Sequence, residues 1–258
     1  MTRTIVVTGS GSGIGAALSA LLAGRGDSVI GVDLSGADVD ADLSTPAGRA
    51  AAVERVADLG GGVVDGVVTC AGTSVPGEAM VTVNFFGSTA IVAGLQPFLA
   101  RSPAPRVALV GSISGTQPAD ADVVEACLRG DEPAALDAAR AVVAAGRAHQ
   151  LYPSSKSAVA QWARGTAVAA GWADAGIAVN VVAPGVVLTP MSAGLFEDPR
   201  MKEVMDRAVP MPLHGYAEAA DVARVLAFLV DAGTTHVTGQ VLYVDGGAEA
   251  TLRPAAHF

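Results

Sequence analysis

Tyr152 and Lys156 stand four residues apart in the run LYPSSKSAVA. Residues at that spacing share a helix face, so an ammonium can sit beside a phenol. A phenol titrates near pH ~10 in water, and a neighbouring positive charge favours its ionised form. The pair is therefore a candidate proton donor and acceptor near neutral pH. Taken alone it means little, because Tyr-x-x-x-Lys arises readily by chance on amphipathic helices. Its value rests on its company.

Part of that company is the segment TIVVTGSGSGIG near the start of the chain. Gly9, Gly13 and Gly15 lie between an apolar run that reads as a strand and an alanine-rich run that reads as a helix. Glycines there let the chain turn tightly and let a pyrophosphate approach the backbone, while the helix start supplies amides and partial positive charge. Asp33 closes the next strand, 18 residues after Gly15. A carboxylate at that place accepts hydrogen bonds from an adenosine ribose. Leu34 and Ser35 follow it, and the glycine turn carries Ser10 and Ser12 rather than Lys or Arg. A 2′-phosphate would meet a negative charge without a compensating cation, so the pattern predicts NAD(H) over NADP(H).

These residues need a frame to hold them. The runs 4–8, 28–33, 66–70, 106–111, 177–183 and 240–245 are short, β-branched and almost continuously apolar, as strands covered on both faces are. Residues 13–25, 46–59, 80–101, 152–171 and 218–231 read as helices between them, and Asp42 and Leu43 as the end of another short strand. Such alternation predicts an α/β fold, a Rossmann-type doubly wound parallel sheet in one domain over residues 1–258. Two segments break the rhythm. Residues 116–150 lie before Tyr152 and read as a helical insertion; residues 185–216 form a long connection with Met191, Met201, Met205 and Met211. Excursions of that length are lids, binding loops or interfaces.

Composition excludes other roles. The chain has 258 residues, 25 acidic and 16 basic, for a net charge of −9 with no basic cluster, which argues against nucleic acid as partner. Cys70 and Cys127 are too few for a disulfide framework and suit a reducing, cytoplasmic compartment. No motif suggests a metal site. Residues 79–100 carry no charge, but Thr82, Asn84, Ser88, Thr89, Gln96 and Pro97 interrupt them, so a buried helix is expected rather than a membrane span.

With these residues in place, the chain resembles the short-chain dehydrogenase/reductase family over nearly its whole length. TGSGSGIG, including Ser12 and Ile14, resembles that family's cofactor loop. Asp42-Leu43 resembles its adenine-contacting pair, and Cys70, Ala71 and Gly72 in TCAG its turn after the fourth strand. VNFFG places Asn84, and VGSIS places Ser112, where the family has its catalytic asparagine and serine; Tyr152 and Lys156 match the tyrosine and lysine. NVVAPG, with Pro184 and Gly185, followed by Val187 and Thr189, resembles the nicotinamide-side motif, and VDGG (244–247) the last strand. The resemblance implies that Ser112 hydrogen-bonds the substrate oxygen and Tyr152 exchanges a proton with it. Lys156 would hold the ribose hydroxyls and lower the tyrosine pKa. Asn84 would anchor a water on a proton path, or only satisfy buried backbone, and Val187 with Thr189 would orient the carboxamide.

Three departures sharpen this reading. Cys70 replaces the family's usual asparagine, and packing is expected of it rather than reactivity. Pro153 follows Tyr152, which predicts that the helix begins there, since proline is tolerated in a first turn and disfavours helical geometry just before it. Ser112 and Tyr152 are 40 residues apart, far more than is usual in the family. That insertion, with GVDLSGADVDADLST, VTVNFFG and the terminal LRP, resembles the bacterial 3α-hydroxysteroid dehydrogenase/carbonyl reductase subgroup. The subgroup implies a helical insertion associated with an unusual dimer interface, and a homodimer or homotetramer. The expectation is an NAD(H)-dependent oxidoreductase for a secondary alcohol or ketone of an apolar small molecule, 3α-hydroxysteroids among them. Another alicyclic or terpenoid alcohol, and a non-catalytic NAD(H) sensor, stand as alternatives.

Overall fold

The computed structural model describes residues 2–194, 198–253 and 255. The chain runs β1 (Thr4–Thr8), α1 (Gly13–Gly24), β2 (Ser28–Asp33), β3 (Val39–Asp40), α2 (Pro46–Leu59), β4 (Gly66–Thr69) and α3 (Ala79–Leu99). It continues through β5 (Arg106–Val110), α4 (Ala121–Leu128), α5 (Glu132–Ala144), α6 (Leu151–Thr166), β6 (Ala178–Pro184) and β7 (Val187–Leu188). Last come α7 (Pro199–Ala208), β8 (Ala217–Glu218), α8 (Ala219–Leu229), β9 (Val241–Val244) and α9 (Ala248–Leu252). Seven strands form one parallel sheet in the order β3-β2-β1-β4-β5-β6-β9, and β7 and β8 form a separate parallel pair.

Alternation along each strand divides the core. Val6, Val67, Val107, Leu109, Val179 and Val181 face α2, α3 and α6, whereas Ile5, Val7, Val68, Ala108 and Val182 face α1 and α8. β1, β4, β5 and β6 are buried on both faces, which is why they read as unbroken apolar runs. The strand order reverses between β1 and β4, so their carboxyl ends flank the crevice where ligands of open α/β sheets bind.

The structure departs from the sequence expectations at three places. The short strand after β2 is Val39–Asp40, and Asp42 and Leu43 lie beyond it, because the Asp42 side chain turns the chain by accepting from the Ser44 amide at 2.9 Å. The helix expected from residue 152 starts one residue earlier, at Leu151. Proline is its third residue, where the missing N–H has no helical acceptor to lose. It also ends at Thr166, short of residue 171.

The uncharged stretch forms α3, 21 residues long and apolar enough to cross a bilayer by length, with 67% of its apolar window buried inside the protein. It is not a uniform helix. Thr82–Gly87 adopt an i→i+5 π-turn, a device frequent at functional sites, and Asn84 sits in it. The insertion is helical as expected: α4 and α5 pack on each other, and α4 rests on α6. Asp120 starts α4 with its side chain accepting from Val123 N, and the Asp120 amide donates to Ser154 Oγ at 2.9 Å, which keys the insertion to α6. Of the terminal LRP, Pro254 lies outside the described residues.

Candidate active site

A cavity of about 810 Å³ opens at the carboxyl ends of β1, β2, β4, β5 and β6. Every residue expected to touch a dinucleotide lines it, from the glycine loop through Asp33, Leu34, Asp42 and Leu43 to Pro184, Gly185, Val187 and Thr189. Ser112, Tyr152 and Lys156 line it too. Asn84 does not; it is fully buried behind the wall.

At one end the glycine loop is shaped by close approaches. Gly9 has φ +67°, and a Cβ on it would lie 2.7 Å from Ala71 N. A Cβ on Gly15 would lie 2.0 Å from Gly9 O, so α1 can begin only against a bare backbone. The Asp33 carboxylate accepts from Gly11 N at 2.8 Å and from Leu34 N at 2.7 Å, which fixes it at the rim beside the loop. Cys70 lines the cavity next to Lys156, and burial pushes its thiol up to about 12. It therefore stays protonated, in keeping with a packing role.

At the other end three polar side chains converge. Gly111 N donates to Val182 O at 2.7 Å, and a Cβ on Gly111 would meet Val181 Cγ1 at 2.7 Å, so β5 can bring Ser112 to the cavity only through a glycine. The following 3₁₀ turn, Ile113–Thr116, rests on α6, where a Cβ on Gly115 would be 3.2 Å from the Lys156 backbone. Ser112 Oγ accepts from Ser114 N at 3.1 Å and is hydrogen-bonded to the Tyr152 side chain. Ser114 lines the cavity as well, but its amide serves Ser112.

Burial raises the Tyr152 pKa above the usual phenolic value, and the Ser112 hydrogen bond pulls it back. Lys156 Nζ lies 5.7 Å from the Tyr152 ring centroid and is itself pulled down to about 8 by burial, with Cys70 acting the other way. Its ammonium donates to Val110 O at 2.9 Å.

Asn84 is held more tightly than its sequence suggested. Its Oδ1 accepts from Thr73 N at 2.8 Å, and its Nδ2 donates to Thr73 O at 3.0 Å and to Ser155 Oγ at 3.2 Å. It thus clamps the loop after β4 to α6. A Cβ on Gly72 would sit 3.2 Å from Asn84 Oδ1 and 3.9 Å from Lys156 Nζ, so the two polar groups meet across a glycine. Ser154 and Ser155, both fully buried, are site-building residues that sequence reasoning passed over. Two serines directly before the lysine on an otherwise apolar helix face were the available signal.

The methionines of the long connection divide. Met191 and Met205 line the cavity beside Val209, giving its open side a flexible apolar wall. Met201 is exposed, and Met211 is wedged against Gly185 and Gly246, its sulfur accepting from Val186 N at 3.2 Å. No cluster of three or more metal-ligating side chains occurs among the described residues.

Comparison with known proteins agrees with this geometry. The chain is 35% identical to the 3-alpha-hydroxysteroid dehydrogenase/carbonyl reductase of Comamonas testosteroni, across 97% of this chain and 98% of the relative. A family profile described as Enoyl-(Acyl carrier protein) reductase matches residues 134–249. The chain belongs to the short-chain dehydrogenase/reductase family. Among solved structures, the 3-alpha-hydroxysteroid dehydrogenase of Pseudomonas sp. B-0831, complexed with NADH, superposes with a TM-score of 0.90 at 45% identity, over 97% of this chain and 98% of that one. The 3beta-hydroxysteroid dehydrogenase 1 of Eggerthella lenta is 29% identical over 99% of this chain and 96% of its own length.

Proposed function

We propose that the protein interconverts a secondary alcohol and a ketone with NAD(H), on an apolar alicyclic substrate of the 3α-hydroxysteroid class. The observation that carries this reading is the convergence of Ser112, Tyr152 and Lys156 at one end of a cavity whose other end is a glycine-loop cradle rimmed by Asp33. Relatives at 35% and 45% identity named as 3-alpha-hydroxysteroid dehydrogenases support the substrate class.

The cradle fits a dinucleotide. Two of its glycines leave no room for a Cβ, and Asp33 presents a fixed carboxylate that a ribose diol satisfies and a 2′-phosphate repels. Lys156 has two ammonium hydrogens left after Val110 O and would hold the ribose on the nicotinamide side. Thr189 and the Val187 backbone would orient the carboxamide. When bound, NAD(H) supplies or accepts the hydride.

The remaining chemistry belongs to side chains. Ser112 donates to the substrate oxygen, and Tyr152 gives that oxygen a proton in reduction or takes one in oxidation. Lys156, whose pKa burial pulls down to about 8, exchanges protons more readily than an exposed lysine. Asn84 Oδ1 retains a lone pair for a water beyond Lys156, and its amide nitrogen holds the Thr73 carbonyl and the Ser155 hydroxyl. A sensor of NAD(H) would gain nothing from burying that lysine at 5% exposure, because burial of an ammonium is costly.

Residues 185–216 act as the substrate lid of this single domain, with Met191, Met205 and Val209 against the apolar body of the substrate. Their flexibility also suits other alicyclic or terpenoid alcohols. The chain works as a cytoplasmic homodimer or homotetramer, with both cysteines unpaired and with Leu128 and Val143 exposed on the outer side of the insertion.

The test is an NAD⁺- and NADH-dependent assay over steroid, terpenoid and simple ketones and their alcohols, with Tyr152→Phe as control. The variant should bind NADH as the parent does and lose at least ~10²-fold in turnover, the scale of general acid–base catalysis. Unchanged turnover would sink the mechanism, and activity confined to non-steroid alcohols would move the substrate class.

A further inference from the structure

The guanidinium of Arg49 takes no part in the chemistry above, yet it joins three parts of the molecule. Arg49 lies in the first turn of α2 and is 5% exposed. Its Nη2 pairs with the carboxylate of Glu132, the first residue of α5 in the insertion. Its Nη1 donates to Leu43 O at 3.3 Å and to Thr82 O at 3.4 Å. Leu43 belongs to the cavity wall, and Thr82 opens the π-turn of α3. The guanidinium also stands 5.9 Å from the Phe86 ring centroid.

In the Asp42–Leu43 segment the Leu43 side chain packs into the core and Asp42 bonds to Ser44 and Thr45, while the Leu43 carbonyl is held by Arg49. The segment lies outside the strands, and two glycines permit its approach to the helices beside it. A Cβ on Gly48 would be 2.0 Å from Asp42 O, and one on Gly87 would be 3.2 Å from Leu43 O. Glycines grant proximity without supplying attraction. Arg49 adds a charged hydrogen bond that ties the Leu43 backbone to the helices, and its buried charge in turn requires the carboxylate of Glu132. The insertion thereby supplies the counter-charge for a group that fixes the far wall of the cavity.

We propose that Arg49 is a positioning residue for the adenine end of the dinucleotide, and that Glu132 makes the insertion part of that support. This rests on the dinucleotide reading above and deepens it. ADP-ribose, titrated calorimetrically, reads the adenine end without hydride transfer.

Arg49→Met should raise the Kd for ADP-ribose and for NADH by the same factor, about 10-fold, the scale of a lost charged hydrogen-bond network. Turnover at saturating NADH should change much less. Glu132→Gln, which keeps the shape and removes the charge, should weaken ADP-ribose binding in the same direction and by less; Arg49→Lys should restore part of the affinity. Arg140→Met, which breaks the insertion's exposed pair with Glu78 at 2.6 Å, should leave ADP-ribose affinity unchanged. A parent chain that binds ADP-ribose alongside an Arg49→Met variant of equal affinity overturns the positioning role. An equal loss in Arg140→Met overturns it too, since general loosening of the insertion would then be the cause. A parent that binds neither ADP-ribose nor NADH refutes the dinucleotide reading itself.

Discussion

Asn84 and Ser155, 71 positions apart in sequence, meet through a hydrogen bond of 3.2 Å from the Asn84 amide to the Ser155 hydroxyl, which in turn donates to Tyr152 O at 2.9 Å. The π-turn of α3 is thus tied to the backbone of Tyr152. The same amide grips Thr73 in the loop after β4. One side chain fixes the relative placement of three segments.

Asn84→Ala should therefore cost stability as well as rate. Removing the amide leaves the Thr73 backbone groups without their partner, a loss of roughly 1–3 kcal/mol for a buried hydrogen-bonding group. Urea unfolding reads the first effect and steady-state turnover the second. A variant as stable as the parent would mean that water replaces the amide.

Asp33 serves two purposes that a single alanine would confuse. Its carboxylate lies on the cavity where the proposed ribose would sit, and it also holds Gly11 N at 2.8 Å. Asp33→Asn keeps an acceptor for Gly11 and removes the charge. Its preference for NADH over NADPH should fall roughly tenfold, as loss of a close like charge implies. Asp33→Ala should show the same relaxation plus weaker binding of both cofactors. Fluorescence titration with the two reduced cofactors separates the cases; an unaltered preference in Asp33→Asn would place discrimination elsewhere.

The buried Lys156 gives stability a distinctive pH dependence. Its folded pKa of about 8 lies below the ordinary 10.5, so between those values the unfolded chain binds more protons than the folded one. Stability from this group therefore rises with pH across that window and is lowest below it. Cys70 and Cys127, both raised to about 12 from 9.0, oppose it at the alkaline end, because their folded thiols hold protons that the unfolded chain releases. Lys156→Met without dinucleotide should be more stable than the parent at pH 7 by something on the order of 3 kcal/mol, with the gap closing toward pH 10.5. Denaturant titrations at several pH values check this, and a pH-independent gap would contradict it.

Val143, exposed on α5, marks the outer side of the insertion. Val143→Arg should lower the assembly mass in sedimentation if that side is an interface. A mass identical to the parent's would remove the insertion from the assembly.

The sequence displayed most of the sheet and the cavity, for a physical reason. Strands covered on both faces must be apolar throughout, and glycines forced by close approach, such as Gly9 and Gly15, sit beside recognisable neighbours. What it hid were contacts between distant segments. Nothing local in VTVNFFG signals a π-turn, because that turn depends on Asn84 finding Thr73 and Ser155. Nor does α2 announce that Arg49 is buried, since its partner Glu132 lies 83 residues away.

The π-turn has a consequence for how this chain can vary. A π-turn holds one residue more than the α-helical turn it replaces, so TVNFFG carries a surplus position inside an otherwise regular helix. Deleting any one of its six residues would let α3 close into continuous α-helix without breaking the chain path. The helix before the deletion would then turn by about 100° relative to the part after it. Met80 and Val81 would leave the core, and the loop from Thr73 would lose its anchor. Substitutions can be absorbed in α3; a change of length at this point cannot.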